Sequence, residues 1–196
     1  MIKILVASQN QKKLHELNTM LKNEDIQWIS LKDLGDTDDV VEDGTSFFEN
    51  ALIKAKYFAN KHHVITIADD SGLEVDALNN MPGIYSARYS GFGDAANNQK
   101  LLKEMRGINH RSARFKCSIV IYLPNHTYEH FEGSIEGEIL DELRGSNGFG
   151  YDPLFYIKAY HKTFAELDSD TKNQISHRAI ALNLLKERLY EIINYK

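Results

Sequence analysis

Cysteine is nearly missing from this chain. Cys117 is the only one in 196 residues, so no internal disulfide is possible and a reducing compartment is the default expectation. The sequon Asn125-His126-Thr127 then carries no meaning as a glycosylation site. Nothing approaches the roughly 20 apolar residues needed to span a membrane, and MIKILVASQN enters a strand at once, with no apolar signal-peptide core. A cytoplasmic protein without a membrane partner is the expectation. Positive charge is in deficit, with 23 Lys and Arg against 28 Asp and Glu. That balance argues against a nucleic-acid polymer as partner, but not against a small anion held by a few local cations. Internal repeats and low-complexity runs are lacking. So is the phosphate-loop pattern G-x-x-x-x-G-K-[ST]. Gly91 to Ala96 fits G-x-G-x-x-A only superficially: no apolar strand precedes it, and Lys116 stands where the ribose-binding acid belongs.

What is present fits one domain, or one core with two lobes. Val64-Ile65-Thr66-Ile67-Ala68 is short, apolar and β-branched, which predicts a buried strand. It runs into Asp69-Asp70-Ser71-Gly72. Two adjacent carboxylates at the carboxyl end of a buried strand are costly to desolvate, and in open α/β sheets that end is where ligands sit. Side chains alternate along a strand, so at most one of the two acids faces a given site. A solvated turn with Gly72 as its permissive residue accounts for the same pattern.

Upstream, Ile2–Ala7 predicts a strand and Leu14, Leu17, Met20 and Leu21 an amphipathic helix. Ser8-Gln9-Asn10 and Lys12-Lys13 lie between, so the helix start offers an anion site with Lys13 as its cation. Taken alone, those residues fit a plain helix cap by Ser8 or Asn10 better, because capped βα turns are common. Trp28–Leu31 is a further strand. Asp33 to Asp43 is an acidic loop, most of whose carboxylates are expected to be solvated. Ser46-Phe47-Phe48-Glu49 reads as a capping box, opening a helix on which Asn50 and Lys54 share one face. His62-His63 at its end reads as structural. Asp94 is expected to cap the helix bearing Leu101, Leu102 and Met105.

Downstream, Phe115, Cys117, Ile119, Ile121 and Leu123 form one apolar row, so Cys117 reads as inert core. Tyr128–Ile139 is the hairpin partner, with His130, Glu132, Ser134, Glu136 and Glu138 on a wet face. Gly145 to Pro153 is a shaped loop expected to expose Phe149 and Tyr151. With Asp152, they are suited to stacking on a base and hydrogen-bonding it. Ser176 is the natural N-cap of a last helix. His177 and Arg178 in its first turn oppose the helix dipole, a hint of a ligand.

The motifs S-Q-N-Q-K-K (Ser8–Lys13), E-D-G-T-S-F-F-E-N-A-L-I-K-A-K (Glu42–Lys56), A-D-D-S-G-L-E-V-D-A-L (Ala68–Leu78), P-G-I-Y-S-A-R-Y-S-G (Pro82–Gly91), G-F-G-Y-D-P-L-F (Gly148–Phe155) and K-N-Q-I-S-H-R (Lys172–Arg178), taken in this order, resemble the inosine triphosphatase family. These are the XTP/dITP diphosphatases that remove non-standard purine nucleotides. The match runs nearly end to end. It implies a two-lobed α/β fold over residues 1–196, with an elongated mixed β-sheet flanked by helices and an active-site groove between the lobes. It implies a homodimer that uses Mg²⁺ to hydrolyse purine nucleoside triphosphates such as ITP, dITP and XTP to the monophosphate and pyrophosphate. Carried over, Ser8, Gln9, Asn10, Gln11, Lys12 and Lys13 surround the phosphates, with Lys54 and Lys172 adding cations. Glu42 and Asp70 bind Mg²⁺, Asp70 accepts the proton of water, and Ser71 contacts substrate. Phe149, Gly150, Tyr151 and Asp152, with His177 and Arg178, hold the base. Gln9 and Lys12 stand where the family's first motif more commonly has glycine.

Two other readings stand beside this one. A related pyrophosphatase would prefer modified pyrimidines, which a panel of bases separates. A catalytically silent nucleotide-binding protein would bind triphosphates and release no product. The presence of Glu42, Asp70 and the three lysines argues against silence.

Overall fold

A computed structural model of the chain describes residues 1–21 and 25–194, with the side chains of Gln11, Lys12, His15 and Glu16 excepted. In chain order the elements are β1 (Ile2–Val6), α1 (Gln11–Met20), β2 (Ile26–Ser30), α2 (Phe47–His62), β3 (Ile65–Val75), β4 (Met81–Pro82), α3 (Asp94–Glu104), β5 (Ser112–Tyr122), β6 (Tyr128–Ile139), β7 (Phe155–Ile157), β8 (Lys162–Thr163), α4 (Ser169–Ile175) and α5 (His177–Asn194). The strands form one eight-stranded mixed sheet in the order β2-β1-β3-β5-β6-β7-β8, with β4 paired to β3. Strand β1 runs parallel to β2 and to β3, whereas β6, β7 and β8 pair antiparallel. No helix among the described residues is long and apolar enough to cross a membrane.

The chain divides into two compact units: Met1–Asp70, Cys117–Gly133 and Arg178–Lys196 make the first, and Ser71–Lys116 with Ser134–His177 the second. Strand β5 shows how each unit is built. Residues 112–116 alternate between half-buried and buried, whereas 117–122 are buried without a break. Continuous burial belongs to a sheet covered on both faces, and alternation to one with a wet face. In the first unit, Ile4, Val6, Ile67, Ile119 and Ile121 pack with Leu14, Leu17 and Leu21 of α1 and Leu182, Leu185 and Leu189 of α5. The opposite side chains, Leu5, Ala68, Val120 and Tyr122, pack with Ala51, Ala55, Phe58 and Ala59 of α2. In the second unit, Leu73, Val75, Phe115, Ile139 and Phe155 share one core with Leu101 and Met105. The other face carries ion pairs, with Arg114 at 2.9 Å from both Glu136 and Asp76.

Several local expectations meet a different arrangement. Strand β3 does not end at Ala68; it runs eleven residues to Val75, because Leu73 and Val75 are needed in the second core. Asp69 and Asp70 therefore lie within a strand and not in a turn. The acidic loop is not simply solvated. Asp36 is buried and bonded to Lys61 at 2.8 Å and His62 at 2.6 Å, so it fastens the loop to the end of α2. The Ser46 hydroxyl accepts from Glu49 N at 3.2 Å. Glu49, however, reaches one residue further back than a capping box requires and takes the Thr45 N–H and hydroxyl at 2.6 and 2.7 Å. Asp94 does not cap α3: the N-cap is Gly93, with no side-chain cap bond. Ser176 has the extended backbone expected of a residue that caps α5, and the short helix α4, absent from the sequence reading, ends at it.

Cys117 is fully buried in the apolar row of β5, and burial pushes its thiol up to about 12. A thiol held that high forms almost no thiolate near neutral pH and does not react. Folded protein at pH 8 is expected to resist a disulfide-exchange reagent such as DTNB and to release one equivalent of chromophore once denatured. Labelling of the native protein at the rate of a free thiol contradicts the packing described here.

Candidate active site

Two clusters of functional side chains stand out, one in each unit. The first is organised by the adjacent acids of β3. Asp69 lies 2.9 Å from Lys13 and 3.2 Å from the Arg178 guanidinium. Burial alone would push Asp69 up, but the charges of Lys13, Arg178 and Lys54 outweigh it and hold the carboxyl well below the usual range. The space beside these groups is about 10 Å³, no more than about one water. Asp69 is thus half-buried and neutralised.

Asp70 points the other way, as strand alternation requires. It is 9% exposed, and its carboxylate accepts from Asn50 Nδ2 at 3.0 Å. Burial raises its pKa above the ordinary value, the Glu42 charge adds to that rise, and Lys54, Asn50 and Lys13 oppose it. Asn50 is a bridge: its Oδ1 accepts from Gly44 N at 2.9 Å, so one amide ties the Glu42-bearing loop to Asp70. The approach is close enough that a Cβ on Gly44 would stand 2.7 Å from that oxygen. Lys54, one turn along α2, pairs with Glu42 at 2.5 Å. Burial would lower the Lys54 pKa, but Asp69 and Glu42 overcome it and the net shift is upward.

The loop before α1 behaves as a helix cap. Asn10 N donates to Ser8 Oγ at 3.2 Å, and Lys13 N donates to Asn10 Oδ1 at 3.3 Å. Gln9 reaches the Asp38 carbonyl at 3.4 Å. The Gln11 and Lys12 side chains lie outside the described residues. Ser71 is half-buried and begins the second unit.

In the second unit the Gly148–Asp152 loop carries the candidate base contacts. Asp152 is buried, accepts from Phe149 N at 2.9 Å and pairs with Lys172 at 2.7 Å. Gly148 has a positive φ, and a Cβ there would overlap the Asp152 carboxylate, so only glycine fits. The Lys172 ammonium sits 4.9 Å from the Phe149 ring centre. Lys172 thus lies against the ring of the base loop. Phe149 is half-buried. The expected exposure of Tyr151 is not found: it is buried, with its hydroxyl donating to Ser86 O at 2.9 Å. A tyrosine gains more from burying its ring with the hydroxyl satisfied than from lying open. His177 is buried and stacked on Phe115, ring centres 4.9 Å apart.

Asn50 was the functional residue least visible in the sequence. The available signal was its position on the Lys54 face of α2. Among the described residues no three of His, Cys, Asp and Glu gather as a metal cage. Glu42 and Asp70 are oxygen donors whose charges oppose each other, a pair that a hard divalent cation suits.

A family model described as the Ham1 family matches residues 4–188. A protein of Desulfotalea psychrophila named dITP/XTP pyrophosphatase is 48% identical, over 98% of this chain and 87% of that protein. One of the same name from Bacillus licheniformis is 47% identical, over 96% and 98%. The solved Ham1 protein of Staphylococcus aureus superposes with a TM-score of 0.90 at 43% identity, covering 97% of this chain and 99% of that one.

The two acids should respond oppositely to amide substitution. Asp69→Asn removes the counter-charge from half-buried Lys13 and buried Arg178 and is expected to cost up to about 3 kcal/mol of stability, the low end for a broken buried pair. Asp70→Asn removes a charge that burial disfavours, so its unfolding midpoint in urea should stay level or rise. Were Asp70 the base that takes a proton from water, its catalytic rate would nonetheless fall about 10²–10⁴-fold. Equal destabilisation by the two substitutions contradicts this division of labour.

Proposed function

Because this chain belongs to the Ham1 family, we propose that it is a nucleoside-triphosphate pyrophosphatase that hydrolyses dITP, XTP and ITP to the monophosphate and pyrophosphate. The observation that carries the reading is Asp70. A carboxyl raised by burial, fixed by Asn50 and set among Lys54 and Glu42, is a stronger proton acceptor than a solvated aspartate. It takes the proton from water as the water oxygen bonds to phosphorus, and the α–β anhydride bond breaks to release pyrophosphate. Lys13 and Lys54 are the cations for the phosphates, with the amides at the start of α1. Glu42 and Asp70 would hold Mg²⁺, a metal that suits one or two carboxylates beside a phosphate substrate. When bound, it neutralises charge on the phosphoryl oxygens.

For the base, Phe149 offers a ring to stack on. Lys172 is donor-only, and His177 can donate as well. Such groups suit a carbonyl at C6 of a purine and cannot satisfy the amino group of adenine. A site built around a substrate hydrogen bond can reject an analogue that lacks it by on the order of 10⁴-fold. The protein is further proposed to act in the cytoplasm as a homodimer, for which sedimentation should give twice the chain mass.

The deciding experiment is a panel of dITP, XTP, ITP, dGTP and ATP, with and without Mg²⁺, scoring pyrophosphate against orthophosphate. Pyrophosphate and monophosphate should appear from the first three, only with the metal, and far more slowly from ATP. Orthophosphate together with a nucleoside diphosphate overturns the assignment of the bond. Turnover of a modified pyrimidine triphosphate ahead of dITP overturns the assignment of the base.

A further inference from the structure

Gly150 stands in the middle of the Gly148–Asp152 loop with φ +60°, and side chains of α3 take both of its backbone polar groups. Its N–H donates to Asp94 Oδ2 at 2.8 Å, and its carbonyl accepts from Asn98 Nδ2 at 2.8 Å. Asp94 and Asn98 are four apart and share one face of the helix. Together they grip the two peptide groups on either side of Gly150.

Neither side chain does the work its position would otherwise give it. Asp94 is in the first turn of α3 yet makes no cap bond to that helix. Asn98 donates its other amide proton to Asp94 O at 3.0 Å, which fixes the orientation of the amide. Its Oδ1 is buried and accepts from no described group. A buried acceptor left so is costly, and an apolar side chain of the same size would avoid it. What the amide achieves is the hold on Gly150. The neighbours of Gly150 are secured separately, Tyr151 by Ser86 and Asp152 by Lys172. Gly150 itself, free of a Cβ and with open space where one would stand, has a wider choice of backbone conformations than the residues on either side of it, and Phe149 is attached directly to it.

We propose that Asp94 and Asn98 are positioning residues for base recognition, setting the Phe149 ring by clamping Gly150 before substrate arrives. The inference rests on the reading of the Gly148–Asp152 loop as the base contact. Such preorganisation acts on affinity rather than on the chemical step.

The test uses the intact protein, with kcat and KM for dITP, the Kd of a non-hydrolysable α,β-methylene analogue, and the Gly150 amide resonance in ¹⁵N NMR. Asp94→Ala and Asn98→Ala should each raise KM and Kd about five- to tenfold, the loss expected for a hydrogen bond. They should leave kcat within about twofold and shift the Gly150 resonance. Asp94→Asn keeps an acceptor for the Gly150 N–H and should restore near wild-type values. If Asn98→Ala does not fold, the isosteric Asn98→Asp, which sets an oxygen against the Gly150 carbonyl, decides that arm in its place. Phe149→Ala is the reference for the loop. If it weakens binding while the α3 variants do not, the clamp is wrong and the base-loop reading stands. If Phe149→Ala has no effect, the base-loop reading fails and takes the clamp with it. Asp94→Asn as weak as Asp94→Ala makes the effect one of charge at a helix start, and a fall in kcat at constant KM makes it one of chemistry. Either overturns the proposal.

Discussion

The first unit is arranged around the pairing of the Asp69 charge, which is largely withdrawn from water. An ionised carboxylate withdrawn from water must be paired and hydrogen-bonded or it destabilises the fold. Lys13, at the start of α1, and Arg178, at the start of α5, meet that requirement at 2.9 and 3.2 Å. The ion pair therefore links the starts of two helices to β3, on the sheet face against which both helices pack. It also resolves an oddity of α5. A guanidinium in a first helical turn opposes the helix dipole, and here a half-buried carboxylate at 3.2 Å counters it. The unfavourable placement of Arg178 is thus satisfied within the protein itself.

With Asp69 neutralised, its neighbour is free to do something different. One residue further along β3, the side chain faces the opposite way and meets Asn50, Lys54 and the field of Glu42. The same residue type is held low at position 69 and raised at position 70. Pairs of titratable groups whose surroundings drive them apart mark a division between structural and chemical roles. Asn50 makes that division exact in space by fixing Asp70 and the backbone of Gly44 with the two ends of one amide.

The second unit solves a different problem, that of holding a glycine-rich loop still. Gly148 admits the Asp152 carboxylate where any side chain would collide. Lys172 then neutralises that carboxylate and lies against the ring of Phe149. Tyr151 is drawn inward to Ser86 and contributes rigidity rather than an exposed face. Together with the α3 contacts on Gly150, every residue from 149 to 152 has a partner outside its own peptide.

The sequence alone determined what depends on periodicity and short-range chemistry. The apolar row through Cys117, Ile119 and Ile121, the stripe of Leu14, Leu17 and Leu21, and the opposed faces of Asp69 and Asp70 follow from strand and helix periods. The family was legible because its motifs combine polar residue types in a fixed order that core packing alone does not demand. Tertiary structure decided how long β3 runs, since a strand ends where its second core ends and not at its first polar residue. It decided that Asp36 is buried and that Asp94 serves Gly150 instead of α3, because each partner lies tens of residues away in sequence. It decided, too, which cation answers which acid. Lys13, Lys54 and Lys172 look alike in a string, and only the folded chain sets them against Asp69, Glu42 and Asp152. A charge has no direction or spacing in sequence; its partner is fixed by distance, and distance is created by folding.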